Sequence, residues 1–292
     1  MSTEAITIER ARSRHGRAGR PGIGAVYGWE LRKLVAQKRT FIGVGAAIAV
    51  PLIFVVAMLA DSNGGGPDGI PFGEYVRETG LAVPLVCLSF GAIWLLPLVT
   101  ALVAGDIVAA EDQNGTLKTI LTRSVDRWQV FAGKLLAAVT YTLLILTAFV
   151  GIATAAGGLA FGFNPLTTLS GSTISVGRGL FLILAGTLSY AVPLLGMAAI
   201  ALLLSTVTRN SAAAVVGTLM FSILLQILGA ISALDFLEPY LLSEQFNAWQ
   251  GLLREPVDWD PVIRAAWVSA LYAVPAVGWA VTVFLRRDVT GG

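Results

Sequence analysis

Leu135 to Phe163 reads LLAAVTYTLLILTAFVGIATAAGGLAFGF, an unbroken stretch with no Asp, Glu, Lys or Arg. About 20 apolar residues in a helix suffice to cross a hydrocarbon core of about 30 Å. The stretch is apolar on every face, without the alternation of a membrane strand, so it reads as a spanning helix. Five more stretches of the same kind flank it: Phe41–Ala60, Leu81–Gly105, Gly179–Thr206, Ser211–Leu234 and Ala265–Leu285. None of the five carries a charged side chain either. The expected fold is therefore an all-α integral membrane protein with six transmembrane helices over residues 40–288.

Composition agrees with that reading. Of 292 residues, 55% are hydrophobic and 13% charged, too few charges to clothe a water-facing globule. One cysteine, Cys87, and one histidine, His15, are present. A single thiol builds neither a disulfide framework nor a thiolate zinc site, and a lone histidine in an Arg-rich tail leaves no His-based metal site or general base in the spans. Neither a metal nor a cofactor site is expected on this chain.

Orientation follows from the basic residues of the connections. Sixteen Lys and Arg fall in the N-terminal segment, the second–third and fourth–fifth connections and the C-terminus, against Arg77, Arg178, Arg254 and Arg264 on the other side. Both termini are expected to be cytoplasmic, in a multi-pass protein of the plasma membrane. Residues 1–24 read as a disordered basic tail touching anionic lipid, and not as a signal peptide, since Pro21, Gly22 and Gly24 replace an apolar core. The outer connection 235–262, with Phe236, Tyr240, Phe246 and Trp249 among acids, is expected to fold back into the outer leaflet as short amphipathic helices.

Residues 25–39 form an expected amphipathic interfacial helix, with Tyr27, Leu31, Leu34 and Val35 on one face, Glu30, Arg32, Lys33 and Gln37 on the other, and Trp29 at the boundary. It serves either as a juxtamembrane anchor or as an elbow that braces the bundle. The second–third connection is richer still. The second helix extends to Gln113 and stops at Asn114-Gly115, a helix-terminating pair. Thr116 can cap a short helix with Leu117, Ile120 and Leu121 on one side, Ser124 to Asp126 turns the chain, and Asp126 caps the next helix, with Lys134 snorkelling near the interface. Apolar residues on such a protrusion need a partner to cover them. Asp106 and Glu111, five residues apart, are not helix neighbours and read as membrane-edge polar groups instead of a catalytic pair.

This pattern resembles the permease subunit of type-2 ATP-binding-cassette exporters. Glu111, Gly115-Thr116-Leu117-Lys118, Leu121, the Ser124-Val125-Asp126-Arg127 turn and Gly133-Lys134 carry the likeness, with Ser124 where a proline is frequent. The resemblance implies that Glu111, Gly115, Thr116, Leu117, Lys118, Leu121 and Arg123 couple the chain to a cytoplasmic ATPase, and that Tyr27, Trp29, Leu31 and Leu34 form the interfacial elbow. It further implies a second permease copy, identical or paralogous, membrane lipid as surroundings, and no nucleic acid.

No nucleotide-binding loop accompanies these features. Gly133-Lys134 lacks both the first glycine, which is Trp128 here, and the following hydroxyl residue, which is Leu135. ATP and Mg are therefore expected on the partner ATPase, with this chain a non-catalytic subunit. Uncharged spans favour export of a lipophilic or amphipathic cargo such as a drug, lipid or lipopeptide. Two rivals stand beside this reading: an ATPase-independent secondary carrier, which ordinarily places ionisable groups at depth where this chain has Gln226, and a non-transporting scaffold or sensor.

Overall fold

The computed structural model describes residues 22–61, 67, 69–91, 94–116 and 125–286. It is nearly all helical, with α1 Ile23–Ala36, α2 Lys38–Ala60, α3 Ala82–Gly91, α4 Leu95–Ala104, α5 Ala109–Gln113, α6 Arg127–Phe161, α7 Val176–Thr208, α8 Ser211–Gly229 and α9 Asp260–Leu285. A two-stranded antiparallel ribbon, β1 Leu166–Thr167 and β2 Thr173–Ile174, joins α6 to α7. Three 3₁₀ segments, Ser232–Leu234, Glu238–Tyr240 and Glu244–Leu253, join α8 to α9.

Five of these helices (α2, α6, α7, α8 and α9) are long and apolar enough to cross a membrane, and a sixth crossing results if α3 and α4 form one bent span. Their outward faces carry Phe41, Ile53, Phe181, Leu188 and Leu271, each more than half exposed. Such a surface would collapse or aggregate in water and is at home in lipid, where helices satisfy their own backbone groups. The chain is membrane-embedded. α7 lies at the centre, with 61% of its apolar stretch buried against 22% for α2 and α8, and packs on α9, α8, α4 and α6.

Several expected boundaries shift. α1 starts at Ile23 and ends at Ala36, because Gln37 adopts an extended conformation (φ −92, ψ 130); Lys38, Arg39 and Thr40 begin α2 instead. The second stretch is not one straight helix: α3 and α4 meet at 62°. Nor does α4 run on to Gln113, since the chain turns at 105–108 before α5. α6 has 35 residues and α7 has 33, about 50 Å each at 1.5 Å per residue. Both therefore outreach the hydrocarbon core. The connection between α8 and α9 is made of 3₁₀ turns and not α-helices, and it is built into the fold: Trp249 is fully buried and stacks on Phe72 with centroids 6.2 Å apart, while Phe246 meets Tyr190 of α7 at 5.0 Å.

Candidate functional site

α1 lies along α6 because of a stripe at every fourth residue, Val26, Glu30 and Leu34, all buried. Gly133 of α6 makes the approach close: a Cβ there would stand 2.7 Å from Val26 Cγ1 and 3.2 Å from the Tyr27 backbone nitrogen. Tyr27 Oη and Thr140 Oγ1 share a 2.8 Å hydrogen bond across the same contact. Leu31 is half-buried, whereas Trp29 and Val35 are exposed. The expected division of α1 is thus corrected: Glu30 belongs to the packed face, and Val35 to the open one.

Glu30 is tolerated there because Lys134 comes to meet it. One residue beyond Gly133, its Nζ lies 3.3 Å from both Glu30 carboxylate oxygens, donates to the Ile107 carbonyl at 2.9 Å, and sits 2.7 Å from Glu111 Oε2 as a charge contact outside hydrogen-bond alignment. Lys33 closes the ring, donating to Glu30 Oε1 at 2.9 Å and to Glu111 Oε1. Side-chain exposure is 0% for Lys134, 6% for Glu30, 13% for Glu111 and 41% for Lys33. Lys134 does not snorkel; it is sealed in. Two carboxylates and two ammonium groups leave no net charge, the condition under which buried ions persist.

The electrostatics of the ring hold its charges in place. Desolvation works to raise the Glu111 carboxyl, but the attraction of Lys134, together with the hydrogen bond and charge of Lys33, outweighs it and holds it below 4.5. Desolvation likewise works to lower Lys33, and Glu111 and Glu30 overcome it, so Lys33 stays protonated above 10.5.

Further ties surround this ring. Asp106, also buried, forms an ion pair with Arg39 of α2 and accepts from the Ser211 hydroxyl of α8. Ser205 of α7 accepts the Val108 and Ala109 backbone N–H groups at 3.3 and 3.0 Å, satisfying donors that the start of α5 would leave open. Arg209 pairs with Asp112 at 3.6 Å, and Arg127 donates to the Leu285 carbonyl of α9 at 2.9 Å. Asp106 and Glu111 thus serve separate partners, as their spacing implies.

All of these contacts flank one connection. Asn114 ends α5, and Gly115 takes the left-handed conformation (φ +67) that closes a helix. The Thr116 hydroxyl donates back to the Glu111 carbonyl at 3.2 Å and ties the chain beyond the turn, where Thr116 is again helical, to α5. On the far side Asp126 occupies the N-cap of α6, and its backbone N–H donates to Gln129 Oε1 at 3.3 Å. Leu117, Lys118, Leu121 and Arg123 lie between these fixed ends and outside the described residues. Among the described residues no three His, Cys, Asp or Glu side chains gather as a metal site.

Reading Glu30 and Lys33 as a solvent face by residue type hid the ring. The signal was there: Val26, Glu30 and Leu34 recur at helical spacing, and Lys134 directly precedes the longest apolar stretch.

A family model described as a protein of unknown function (DUF2705) matches residues 48–290. The uncharacterized protein YhcI of Bacillus subtilis (strain 168) is 28% identical over 208 residues, which cover 67% of this chain and 65% of that relative's length.

Proposed function

The chain belongs to the DUF2705 family, and we propose that it serves as the permease subunit of an ATP-driven transporter whose ATPase is a separate polypeptide. In this reading six spans cross the plasma membrane, α3 and α4 together making the second, with both termini in the cytoplasm and α1 as an elbow at the inner interface. The observation that carries it is the ion-pair ring of Glu30, Lys33, Glu111 and Lys134. It binds the elbow, the end of the second span and the start of the third into one body at the base of residues 114–126. Apolar Leu117 and Leu121 on that connection need a partner surface, and a rigid base is what a docking segment requires if force on it is to move spans.

Glu111 then acts as a positioning residue, its carboxylate engaged inside the chain, while Leu117, Lys118, Leu121 and Arg123 meet the ATPase. Closure of two ATPases on two permease copies would tilt the spans and release a lipophilic or amphipathic cargo outward. The test is reconstitution with a co-expressed ATP-binding-cassette ATPase. The reading predicts a complex that survives detergent extraction, with ATP hydrolysis only when the ATPase is present. Hydrolysis by the isolated chain, or transport driven by an ion gradient alone, overturns it.

A further inference from the structure

At the end of the bundle away from the charged ring, a cavity of about 420 Å³ opens between the ends of α3 and α8 and the 3₁₀ segment Glu244–Leu253. That volume is in the range of small-molecule sites. Its walls combine the rings of Phe90 and Phe246 with the polar groups of Ser89, Gln226, Glu244 and Asn247. Ser243 Oγ, at the same wall, is buried without a hydrogen-bond partner.

Glu244 decides the chemistry. Its Oε1 lies against Gly229, where a Cβ would stand 2.9 Å away, so the carboxylate faces the C-terminal end of α8, the negative end of the helix dipole. Asn247 donates a hydrogen bond to it, Glu238 adds like-charge repulsion, and desolvation is the largest influence on it, raising its pKa. Arg254 and Arg264 line the adjoining cavity beyond Glu244, yet among the described residues neither pairs with it; Arg254 turns to Asp258 at 3.9 Å. A half-buried carboxylate with no cationic partner among the described residues, beside aromatic residues, leaves the charge of the site uncompensated by them.

We infer that this cavity binds an organic ammonium group, with Glu244 as counter-ion, the Phe90 and Phe246 rings as cation–π walls, and the Ser89, Gln226 and Asn247 groups orienting its polar substituents. The ammonium can belong to a free small cation or to a lipid headgroup at the outer surface. Binding needs no ATPase, so the inference stands or falls separately from the permease reading.

The test is calorimetric titration of the full chain in phosphatidylglycerol nanodiscs with choline, its neutral isostere dimethylbutanol, and glucose. Choline should bind about tenfold or more tightly than dimethylbutanol, and Glu244→Gln should lose about that factor. Glu244→Asp, which keeps the charge, should retain most of the binding, and Glu78→Gln should match the wild type. If phosphatidylethanolamine in the nanodiscs competes with choline, the group comes from lipid; if it does not, from a free cation. Equal binding of choline and dimethylbutanol, unchanged choline affinity in Glu244→Gln, or saturable binding of glucose alone would each overturn the assignment.

Discussion

Lys134 and Glu30, 104 positions apart in sequence, meet with the ammonium nitrogen 3.3 Å from each carboxylate oxygen, in a contact closed to solvent on the lysine side. Neither charge has water to fall back on. Removing one member of a buried pair therefore costs far more than a surface ion pair contributes, typically about 3–5 kcal/mol. Lys134→Met, which keeps the volume but strands Glu30 and Glu111 with only Lys33 between them, should lower thermal stability by an amount of that order. Glu30→Gln/Lys134→Met should recover a large part of it. A Lys134→Met variant as stable as the wild type in a detergent melting assay would show that the ring does not hold α1 in place.

The ring should be insensitive to pH over a wide range. Glu111 is held below 4.5, so its contribution is present above its unfolded value and is lost only as pH falls through the lowered folded value. Lys33 is raised above 10.5, so its contribution is complete below that value and is lost only as pH rises further. Protection of the α1 amides in hydrogen exchange, corrected for intrinsic rates, should stay flat from about pH 5 to about pH 9 and fall in acid.

Glu244 should behave in the opposite way. Burial raises its carboxyl above 4.5, so the folded state loses stability as pH rises through that raised value. Glu244→Gln should therefore melt higher than the wild type near neutral pH, and the gap should close as pH falls toward about 4.5. An unchanged gap across that range would place the carboxylate in water.

Arg39, Asp106 and Ser211 supply the corresponding tie among α2, the turn after α4, and α8. In a double-mutant cycle, Arg39→Gln and Asp106→Asn should be coupled by about 0.5–3 kcal/mol, since each loses most of its effect once the other is gone. Strict additivity would mean that the two side chains do not share a structural role.

The apolar stretches were legible because spanning a bilayer demands continuous apolar length, which Leu135–Phe163 displays without ambiguity. Asn114-Gly115 was legible for a local reason, as a left-handed residue after a helix favours glycine. The 62° meeting of α3 and α4 was not: apolar composition is the same on both sides of the break, and only packing around it decides the bend. The ring was hidden because a charged residue near a membrane edge is ordinarily taken for a solvated one, and Lys134 is neutralised by Glu30 and Glu111, distant in the chain. The α8–α9 connection showed its aromatic residues, but not that Trp249 and Phe246 would plug the bundle against Phe72 and Tyr190.

Residues 117–123 are the proposed docking segment for the ATPase. Burying a leucine at an interface contributes about 1.5–3 kcal/mol, and an aspartate in its place adds an unpaired charge. The most direct measurement is co-purification of a co-expressed ATP-binding-cassette ATPase with the wild type, Leu117→Asp, Leu121→Asp and, as a tail control, Thr290→Asp. Docking through Leu117 and Leu121 predicts recovery of the ATPase with wild type and Thr290→Asp, and a loss of about tenfold or more with each leucine variant at unchanged expression and melting temperature. Full ATPase recovery with both leucine variants would contradict it.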